Sequence, residues 1–316
     1  MIGKSVPRVD AYEKVTGRAK FTDDMILDKC LVAKVCHATI GNGIVKSIDT
    51  SEAEALDGVV KVVTFKDVPN HCYPTPGHPW SVELAHQDVA DRNLLTGRVR
   101  YYGDDIAAVV AEDEVTASRA LKLIKVEYEV LPHIHTIEEA AAPDAPRVFD
   151  EEENNICAYK HISRGNATEA IEGSKYVISK HFETPWTEHA FLEPECAVSF
   201  YDEDGDIFIY STDQSAHQTL HECSLLLGTD KVKVQNALVG GGFGGKEDMT
   251  VQHLAALLTY VTKKPVKMKL SRAESLLVHP KRHPFYMDMT MGCDENGNIM
   301  GVKAKVKADT GAFASL

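Results

Sequence analysis

The densest run of chemically suggestive residues is V-G-G-G-F-G-G-K-E, which ends at Glu247 and carries five glycines within positions 240–245. Glycine leaves backbone N–H groups accessible and adopts conformations that other residues avoid. The run follows the strand-like segment K-V-K-V-Q-N-A-L-V and precedes a helix expected from about Asp248. Converging N–H groups beside the positive end of a helix form an anion-binding site. This glycine loop is therefore the leading candidate for a functional site.

One known phosphate-binding pattern, the triphosphate loop G-x-x-x-x-G-K, matches the start of the loop. That pattern requires Ser or Thr after the lysine, to bind magnesium. Here Glu247 follows Lys246, and its carboxylate would repel phosphate. The triphosphate pattern therefore fails on charge. Tight packing of a strand against a helix is the non-functional explanation for glycines in this position.

The dinucleotide fingerprint G-x-G-x-x-G matches Gly240, Gly242 and Gly245. Its acidic ribose ligand is absent, but Arg272 follows the next predicted strand and could bind the 2′-phosphate of NADP. An NADP-dependent Rossmann-type dehydrogenase is therefore an open alternative. Bulky Phe243 in the middle of the loop is the feature that a dinucleotide site does not explain.

Two other groups have the residue types of a metal site without its spacing. His217 and His221 lie one helical turn apart, but no third ligand accompanies them. Glu188, His189 and Glu193 do not follow the E-x-x-H spacing of helical carboxylate sites. We expect a solvated helix face for the first group and structural roles for the second.

An acidic turn, D-E-D-G-D at positions 202–206, lies between two apolar segments. It resembles a calcium loop only superficially, because Ile207 occupies the position where a calcium loop needs glycine. Asp-Gly between alternating apolar residues is typical of a hairpin. The turn is therefore predicted to connect two antiparallel strands.

Composition limits the class of protein. The chain has 316 residues, 44% of them hydrophobic, and a formal net charge of −13, which argues against a nucleic-acid-binding surface. It contains no apolar run long enough for a membrane span and no signal-peptide pattern at its start. Its seven cysteines form no C-x-x-C pair, so iron–sulfur ligation would require another chain. Reduced thiols in the cytoplasm are the expectation.

The pattern of elements predicts a mixed α+β and α/β fold with two units. Residues 1–135 read as a compact α/β unit, residues 136–160 as an acidic linker, and residues 161–316 as a second unit. An irregular loop rich in Pro and Gly is predicted at 68–80. The helix that ends at Gly228 should carry an apolar stripe, and a hairpin is predicted about Asn296-Gly297. The stripe consists of Ala216, Leu220, Cys223 and Leu227.

Several blocks in the same order resemble the large, molybdenum-binding subunit of the xanthine dehydrogenase and aldehyde oxidase family. They are V-P-R-V-D-A-Y-E-K-V-T-G-R-A-K-F, V-R-Y-Y-G-D-D-I-A-A-V-V, E-H-A-F-L-E-P-E-C, S-T-D-Q-S-A-H-Q, G-G-G-F-G-G-K-E-D and D-T-G-A-F-A-S-L. The resemblance covers the whole chain and is strongest to the bacterial purine-oxidising branch. It implies a hammerhead domain at 1–135, followed by the first part of the domain that binds molybdopterin at 161–316.

The resemblance also implies the cofactor-binding residues. The backbone of Gly241, Gly242, Phe243 and Gly244 would lie under the molybdenum centre, and Gln214 would hydrogen-bond one of the cofactor's ligands. The family commonly reads S-T-Q at this point, whereas this chain reads S-T-D-Q. The length of the following helix favours Gln214, and positions 212 and 213 stay open as alternatives.

Glu247 matches the position at which purine-oxidising members place a substrate-binding carboxylate. The implied reaction is hydroxylation of a purine or related N-heterocycle with water as the oxygen source. The family's general-base glutamate lies beyond residue 316, so this chain carries no catalytic base and we expect it to be inactive alone.

The resemblance implies molybdopterin as cofactor, with the cytosine dinucleotide as an alternative form. It implies as partners a remaining segment of the molybdenum subunit, a 2Fe-2S subunit and an FAD subunit, in a cytoplasmic complex of purine catabolism. A non-catalytic fragment that binds pterin or assists assembly is the non-enzymatic alternative.

Overall fold

The computed structural model describes residues 2–75 and 88–314, which form two compact units. The first unit contains the residues up to Leu131 together with His189–Pro280, and the second contains Pro132–Glu188 together with Lys281–Ala314. Positions 76–80 of the irregular loop predicted at 68–80 lie outside the described residues. The prediction of domains at 1–135, 136–160 and 161–316 stays a prediction.

The elements alternate between strands and helices along the chain, which agrees with the predicted mixed fold class. The strands are β1 Leu31–His37, β2 Gly43–Asp49, β3 Val59–Thr64, β4 Cys72–Tyr73, β5 Arg92–Asn93, β6 Arg98–Val99, β7 Asp105–Ala111, β8 Lys125–Val130, β9 Tyr176–Glu183, β10 Cys196–Tyr201, β11 Ile207–Ser211, β12 Val232–Asn236, β13 Val266–Lys269, β14 Phe285–Cys293 and β15 Ile299–Ala308. The α-helices are α1 Ala11–Val15, α2 Ser51–Glu54, α3 Glu114–Leu121, α4 Ile137–Ala140, α5 Ala167–Glu172, α6 Ala216–Leu227, α7 Gln252–Thr262 and α8 Arg272–Val278. Short 3-10 helices occur at Thr22–Asp24 and Gly245–Glu247.

A seven-stranded sheet in the order β12-β11-β10-β13-β1-β7-β3 forms the centre of the first unit. The β11–β12 and β1–β13 pairs are parallel, and the remaining pairs are antiparallel. The acidic turn joins β10 to β11, which confirms the predicted hairpin. Strands from the first and last thirds of the chain therefore pair within a single sheet.

Helices cover both faces of this sheet. Successive side chains of a strand point to opposite faces, so Val62 and Val109 pack with α2 and α3, whereas Val63 and Val110 belong to the cluster that includes α7. Each such side chain contributes about 1.5–3 kcal/mol by burial. The sheet consequently provides a rigid base for the loops at its ends.

Helix α6 ends at Gly228 as predicted, with this glycine in the left-handed conformation at φ 64°. Cys223 lies in the core, and Leu220 and Leu227 pack against it, as the apolar stripe predicts. The pattern missed three buried polar residues of the same helix, Gln218, Thr219 and Glu222. Thr219 donates a hydrogen bond to Asp213 at 2.7 Å, so this face of the helix supports the preceding loop.

The second unit contains a three-stranded antiparallel sheet in the order β15-β14-β9, with α5 packed against it. The β14–β15 connection turns at Asp294–Asn298, where the Asp294 carboxylate accepts hydrogen bonds from the backbone N–H groups of Asn296 and Asn298. This arrangement confirms the hairpin predicted about Asn296-Gly297. No helix in the described part of the chain has both the length and the hydropathy needed to cross a membrane.

Candidate functional site

The glycine loop at 240–247 leaves the edge strand β12 and does not run directly into a helix. The helix predicted from about Asp248 begins instead at Gln252, because the chain first makes a 3-10 turn and Asp248 is extended. The N–H of Met249 donates to the carbonyl of Thr75 at 2.9 Å, which holds this extended segment. The positive end of the α7 dipole therefore lies further along the chain from the glycine loop than the sequence pattern predicts.

The backbone of the loop adopts the conformations that expose N–H groups. Gly241, Phe243 and Gly244 have positive φ angles of 99°, 54° and 93°. A phenylalanine in this region is strained, because its Cβ crowds the backbone, and such strain is typical of functional loops. The Phe243 side chain is 73% exposed, so packing of its ring does not account for the conformation.

Three successive N–H groups in the loop stay unused. Those of Gly241, Gly242 and Phe243 donate no hydrogen bond within residues 2–75 and 88–314, whereas the Gly244 N–H donates to Oε1 of Gln214 at 3.0 Å. Unpaired consecutive donors with positive φ angles form a concave nest for an electron-rich atom. The backbone itself thus supports the predicted anion-type site at 241–243.

Gln214 lies directly against this nest. Its backbone N–H donates to the carbonyl of Lys246 at 2.8 Å, and a Cβ added to Gly242 would collide with its side-chain oxygen. Because Oε1 accepts from Gly244, the Nε2 group keeps its two donors, and it makes no hydrogen bond to any described residue. A neutral donor beside the nest suits an electron-rich ligand.

The two alternatives to Gln214, Thr212 and Asp213, make hydrogen bonds to residues outside the nest. The Thr212 hydroxyl is buried and accepts from the N–H of Cys196 at 3.4 Å. The Asp213 carboxylate is buried and accepts from Thr219. The geometry therefore favours Gln214 over positions 212 and 213, while its role stays a prediction.

Glu193 joins the two ends of the glycine loop. Its Oε2 accepts from the N–H of Gly240 at 2.7 Å and from Nζ of Lys246 at 3.0 Å. The Lys246 side chain is only 2% exposed, and its ammonium lies 4.6 Å from the centre of the Phe191 ring. Burial lowers the pKa of Lys246, and the neighbouring carboxylate of Glu193 opposes this shift. Lys246 thus faces the interior and cannot serve as the phosphate-binding lysine of a triphosphate loop.

A second buried carboxylate supports the loop from below. Oε1 of Glu195 lies 2.7 Å from Nδ1 of His279, whose ring packs edge-on against His189 and Phe191. Burial would raise the pKa of Glu195, but the contact with His279 outweighs it and holds that pKa below its ordinary value. A Cβ on Gly245 would collide with both imidazoles, so glycine is required at this position. This packing agrees with the structural role that we expect for His189.

Glu247 ends the 3-10 turn beside the nest and is half-buried. Its N–H donates to the carbonyl of Gly244 at 3.1 Å, so its position depends on the loop conformation. Burial raises the pKa of the adjacent Asp248 to about 7, although Arg92 opposes the shift. The half-buried carboxyl group of Glu247 and the buried one of Asp248 are therefore adjacent in the chain at this end of the loop.

The structure does not support the dinucleotide site that would use Arg272, or a metal site at His217 and His221. Nη2 of Arg272 donates to the carbonyls of Phe191 and Leu192, so this guanidinium holds the backbone below the loop. Strand β13 is separated from β12 by two other strands, unlike the neighbouring parallel strands of a dinucleotide-binding unit. His217 and His221 are exposed on α6, and no described His, Cys, Asp or Glu joins them in a cluster suitable for a metal.

Comparison with known families locates two domains in the chain. The profile of the aldehyde oxidase and xanthine dehydrogenase a/b hammerhead domain matches residues 16–132, and the profile of the molybdopterin cofactor-binding domain matches residues 148–316. Among solved structures, the aldehyde oxidoreductase of Desulfovibrio gigas superposes with a TM-score of 0.85 at 26% identity, covering 96% of this chain and 34% of that one.

Two relatives match nearly all of the sequence. The xanthine dehydrogenase molybdenum-binding subunit of Escherichia coli is 37% identical over 311 residues, which cover 98% of this chain and 41% of that protein. The nicotinate dehydrogenase large molybdopterin subunit of Eubacterium barkeri is 36% identical over 317 residues, which cover 100% of this chain and 72% of that protein. The chain thus spans less than half of the Escherichia coli relative.

Proposed function

Because the chain belongs to the molybdopterin cofactor-binding family of aldehyde oxidases and xanthine dehydrogenases, we propose that it forms the first part of the cofactor site of a molybdenum hydroxylase. The observation that carries this proposal is the nest of unused N–H groups at Gly241, Gly242 and Phe243, with the Gln214 amide beside it. When bound, the cofactor supplies a two-electron oxidation in which water is the source of oxygen. The protein's contribution is to hold the cofactor and the substrate and to polarise the groups that react.

Each residue of the site would have a distinct task toward the cofactor. The N–H groups of Gly241, Gly242 and Phe243 would donate hydrogen bonds to its electron-rich ligands, and Nε2 of Gln214 would donate another. Gly244 would act indirectly, because its own N–H is used to orient the Gln214 side chain. Neutral donors fixed before binding stabilise charge without reorganisation during the reaction.

The substrate that best suits Glu247 is a purine or related N-heterocycle. A half-buried carboxyl beside the nest can accept a hydrogen bond from a ring N–H or share a proton with a ring nitrogen. The two similar relatives are named for xanthine and nicotinate, both of which are nitrogen heterocycles. This combination favours an N-heterocycle over an aldehyde as the substrate class.

The complete enzyme would need further polypeptide. We propose as partners the remaining segment of the molybdenum subunit, which would carry the general-base glutamate, together with 2Fe-2S and FAD subunits. The seven cysteines of this chain form no C-x-x-C pair, so electron transfer through iron–sulfur clusters would fall to another chain. A cytoplasmic complex for purine catabolism, with molybdopterin or its cytosine dinucleotide form, fits this composition.

Glu247→Gln in the assembled complex tests the proposal, with Glu172→Gln on the exposed end of α5 as the matched control. We expect the Glu247 variant to retain its molybdenum and to lose ~10²–10³ in kcat/KM for xanthine or hypoxanthine, because it removes a charged group from the substrate site. The control should match the wild type in both measurements. A wild-type rate in the Glu247 variant would remove the assignment to N-heterocycles. A complex purified without molybdenum would refute the function itself, and one with molybdenum but no turnover would favour the pterin-binding assembly fragment.

A further inference from the structure

The three-stranded sheet of the second unit has two faces of opposite character. The register pairs Met287 with both Phe182 and Val306, and the same alternation continues along all three strands. We call the side of the sheet that carries these residues the apolar sheet face. It consists of Tyr176, Ile178, Lys180, Phe182, Met287, Met289, Met291, Val302, Ala304 and Val306.

The opposite face is polar and already has a covering layer at one end. His181 lies 2.7 Å from the Asp288 carboxylate, and further charged side chains of β15 alternate onto this side. Helix α5 packs here, because Cβ atoms added to Gly292 or Gly301 would meet Ile171 of that helix. The helix layer therefore lies on the polar side.

The apolar sheet face, in contrast, is open. Ile178 is 57% exposed and Phe182 is 49% exposed, although nine of the ten side chains on this face are apolar. Sheets bury their apolar face against a second layer in stable domains. Contiguous apolar patches of this kind mark interaction sites on soluble proteins. The face therefore requires an occupant.

We propose that the apolar sheet face is the docking surface for the remaining segment of a molybdenum-binding subunit, the polypeptide that the relatives carry outside the matched region. This inference rests on the proposed function. The Escherichia coli relative aligns with 98% of this chain, but the alignment covers only 41% of the relative's own length. More than half of that subunit therefore lies outside the matched region, which is enough polypeptide to supply a second layer over the sheet.

The chemistry of the face fits a permanent intrachain or obligate contact. Obligate interfaces resemble a domain core cut in half, whereas transient interfaces are about as apolar as the rest of the protein surface. Lys180 is the only charged residue of the face and sits in its central row, opposite Met289. The occupant should thus be an apolar layer with one carboxylate or carbonyl acceptor that meets this ammonium.

Cysteine footprinting at two adjacent positions tests the proposal. Ile178→Cys lies on the apolar sheet face, and Val177→Cys is the matched control, since Val177 is 53% exposed on the opposite face. Maleimide labelling at each introduced thiol is followed by mass spectrometry, first in the dilute chain alone and then in the assembled molybdenum subunit without its iron–sulfur and FAD partners. We expect both thiols to react in the chain alone, and the I178C thiol to react at least ~10-fold more slowly in the assembled subunit, with V177C unchanged.

Other outcomes would overturn the proposal. Equal labelling of both thiols in the assembled subunit would show that the segment docks elsewhere. Protection of I178C that grows with the concentration of the isolated chain would identify a second copy as the occupant, and protection in the dilute monomer would mean that the chain covers its own face. Protection that needs the iron–sulfur or FAD subunits would assign the face to them.

A second pair of variants guards against misfolding. Val306→Cys lies on the apolar sheet face, and Lys307→Cys follows it on the other side. The same labelling pattern is expected for this pair. A subunit that shows the predicted protection but contains no molybdenum would refute the proposed function and leave the docking surface standing, so the two failures are distinguishable.

Discussion

Two loops of the first unit carry the residue types of an ion-binding site, and each has a lysine nearby. In the acidic turn at 202–206, the carboxylates of Asp202, Asp204 and Asp206 surround Nζ of Lys233 at 2.7, 2.8 and 3.1 Å. In the glycine loop at 240–247, Lys246 turns inward to Glu193, and the N–H groups of the nest keep no partner among the described residues. In the acidic turn the protein's own lysine occupies the position of a cation. In the glycine loop the N–H groups of the nest are available to a ligand.

The two lysines also show that hydrogen-bonded partners control the pKa of the less buried lysine, whereas burial controls the pKa of the more buried one. The hydrogen bonds that Lys233 donates to Asp202, Asp204 and Asp206 raise its pKa, and its side chain is 40% exposed. Burial lowers the pKa of Lys246 in spite of Glu193. A raised lysine pKa contributes stability below the unfolded value of 10.5 and loses it as pH rises through the folded pKa. A lowered pKa acts in the opposite sense: Lys246 disfavours folding below its folded pKa, and this penalty disappears as pH rises from the folded pKa to the unfolded value of 10.5.

The largest expected effect concerns the available site. In Gly242→Ala the new Cβ would collide with Oε1 of Gln214 and displace the amide that closes the nest. We expect the molybdenum content of the assembled subunit to fall by ~10–100-fold, because residues that orient ligands contribute this much to metal affinity. Gly173→Ala is the control, since its Cβ would make an ordinary contact at 3.4 Å. Full molybdenum content in the Gly242 variant, measured by mass spectrometry of the metal, would contradict the role of the nest.

An intermediate effect, on the free energy of unfolding, is expected at the Glu193–Lys246 ion pair that anchors the glycine loop. Glu193→Gln leaves the buried ammonium of Lys246 without a carboxylate, although Gly240 keeps an acceptor. Breaking a buried ion pair from one side should lower the free energy of unfolding by about 2–4 kcal/mol. Urea unfolding measures this loss, and the Glu193→Gln/Lys246→Met double variant should recover part of it. If the two substitutions simply add, the pair does not anchor the loop.

The smallest effect, a weak gain of calcium binding, is expected at the acidic turn at 202–206. Lys233→Met removes the internal cation and leaves three aspartates within reach of one another. We expect the variant to bind Ca²⁺ with a Kd of ~10⁻⁴–10⁻³ M, as expected for a site with few ligands. Isothermal titration of the variant, the wild type and the exposed control Lys231→Met measures this gain. Calcium binding by the wild type would show that Lys233 does not occupy the site, and no binding by Lys233→Met would show that the turn cannot coordinate a cation.

Local patterns predicted the features that depend on neighbouring residues. The hairpins at 202–206 and 294–298 and the helix end at Gly228 follow from turn and glycine preferences that act over a few positions. The start of α7 was misplaced, because the contact between Met249 and Thr75 joins distant parts of the chain. Buried Thr219 was missed for a different reason: helical periodicity considers apolar residues, whereas Thr219 is buried because it donates to Asp213, which precedes the helix.

The order of residues is enough to predict that a glycine-rich backbone would offer hydrogen-bond donors, and the motifs resemble those of molybdenum hydroxylases. Which of these groups stay available to a ligand depends on contacts that form only in the folded chain. Glu193 and Lys246 are 53 positions apart, and Asp202 and Lys233 are 31 apart, so no local pattern could pair them. A charged or polar group is satisfied by whatever the fold brings within about 3 Å of it. That is why one of these two loops has its charges satisfied within the folded protein, whereas the other keeps donors available to a ligand.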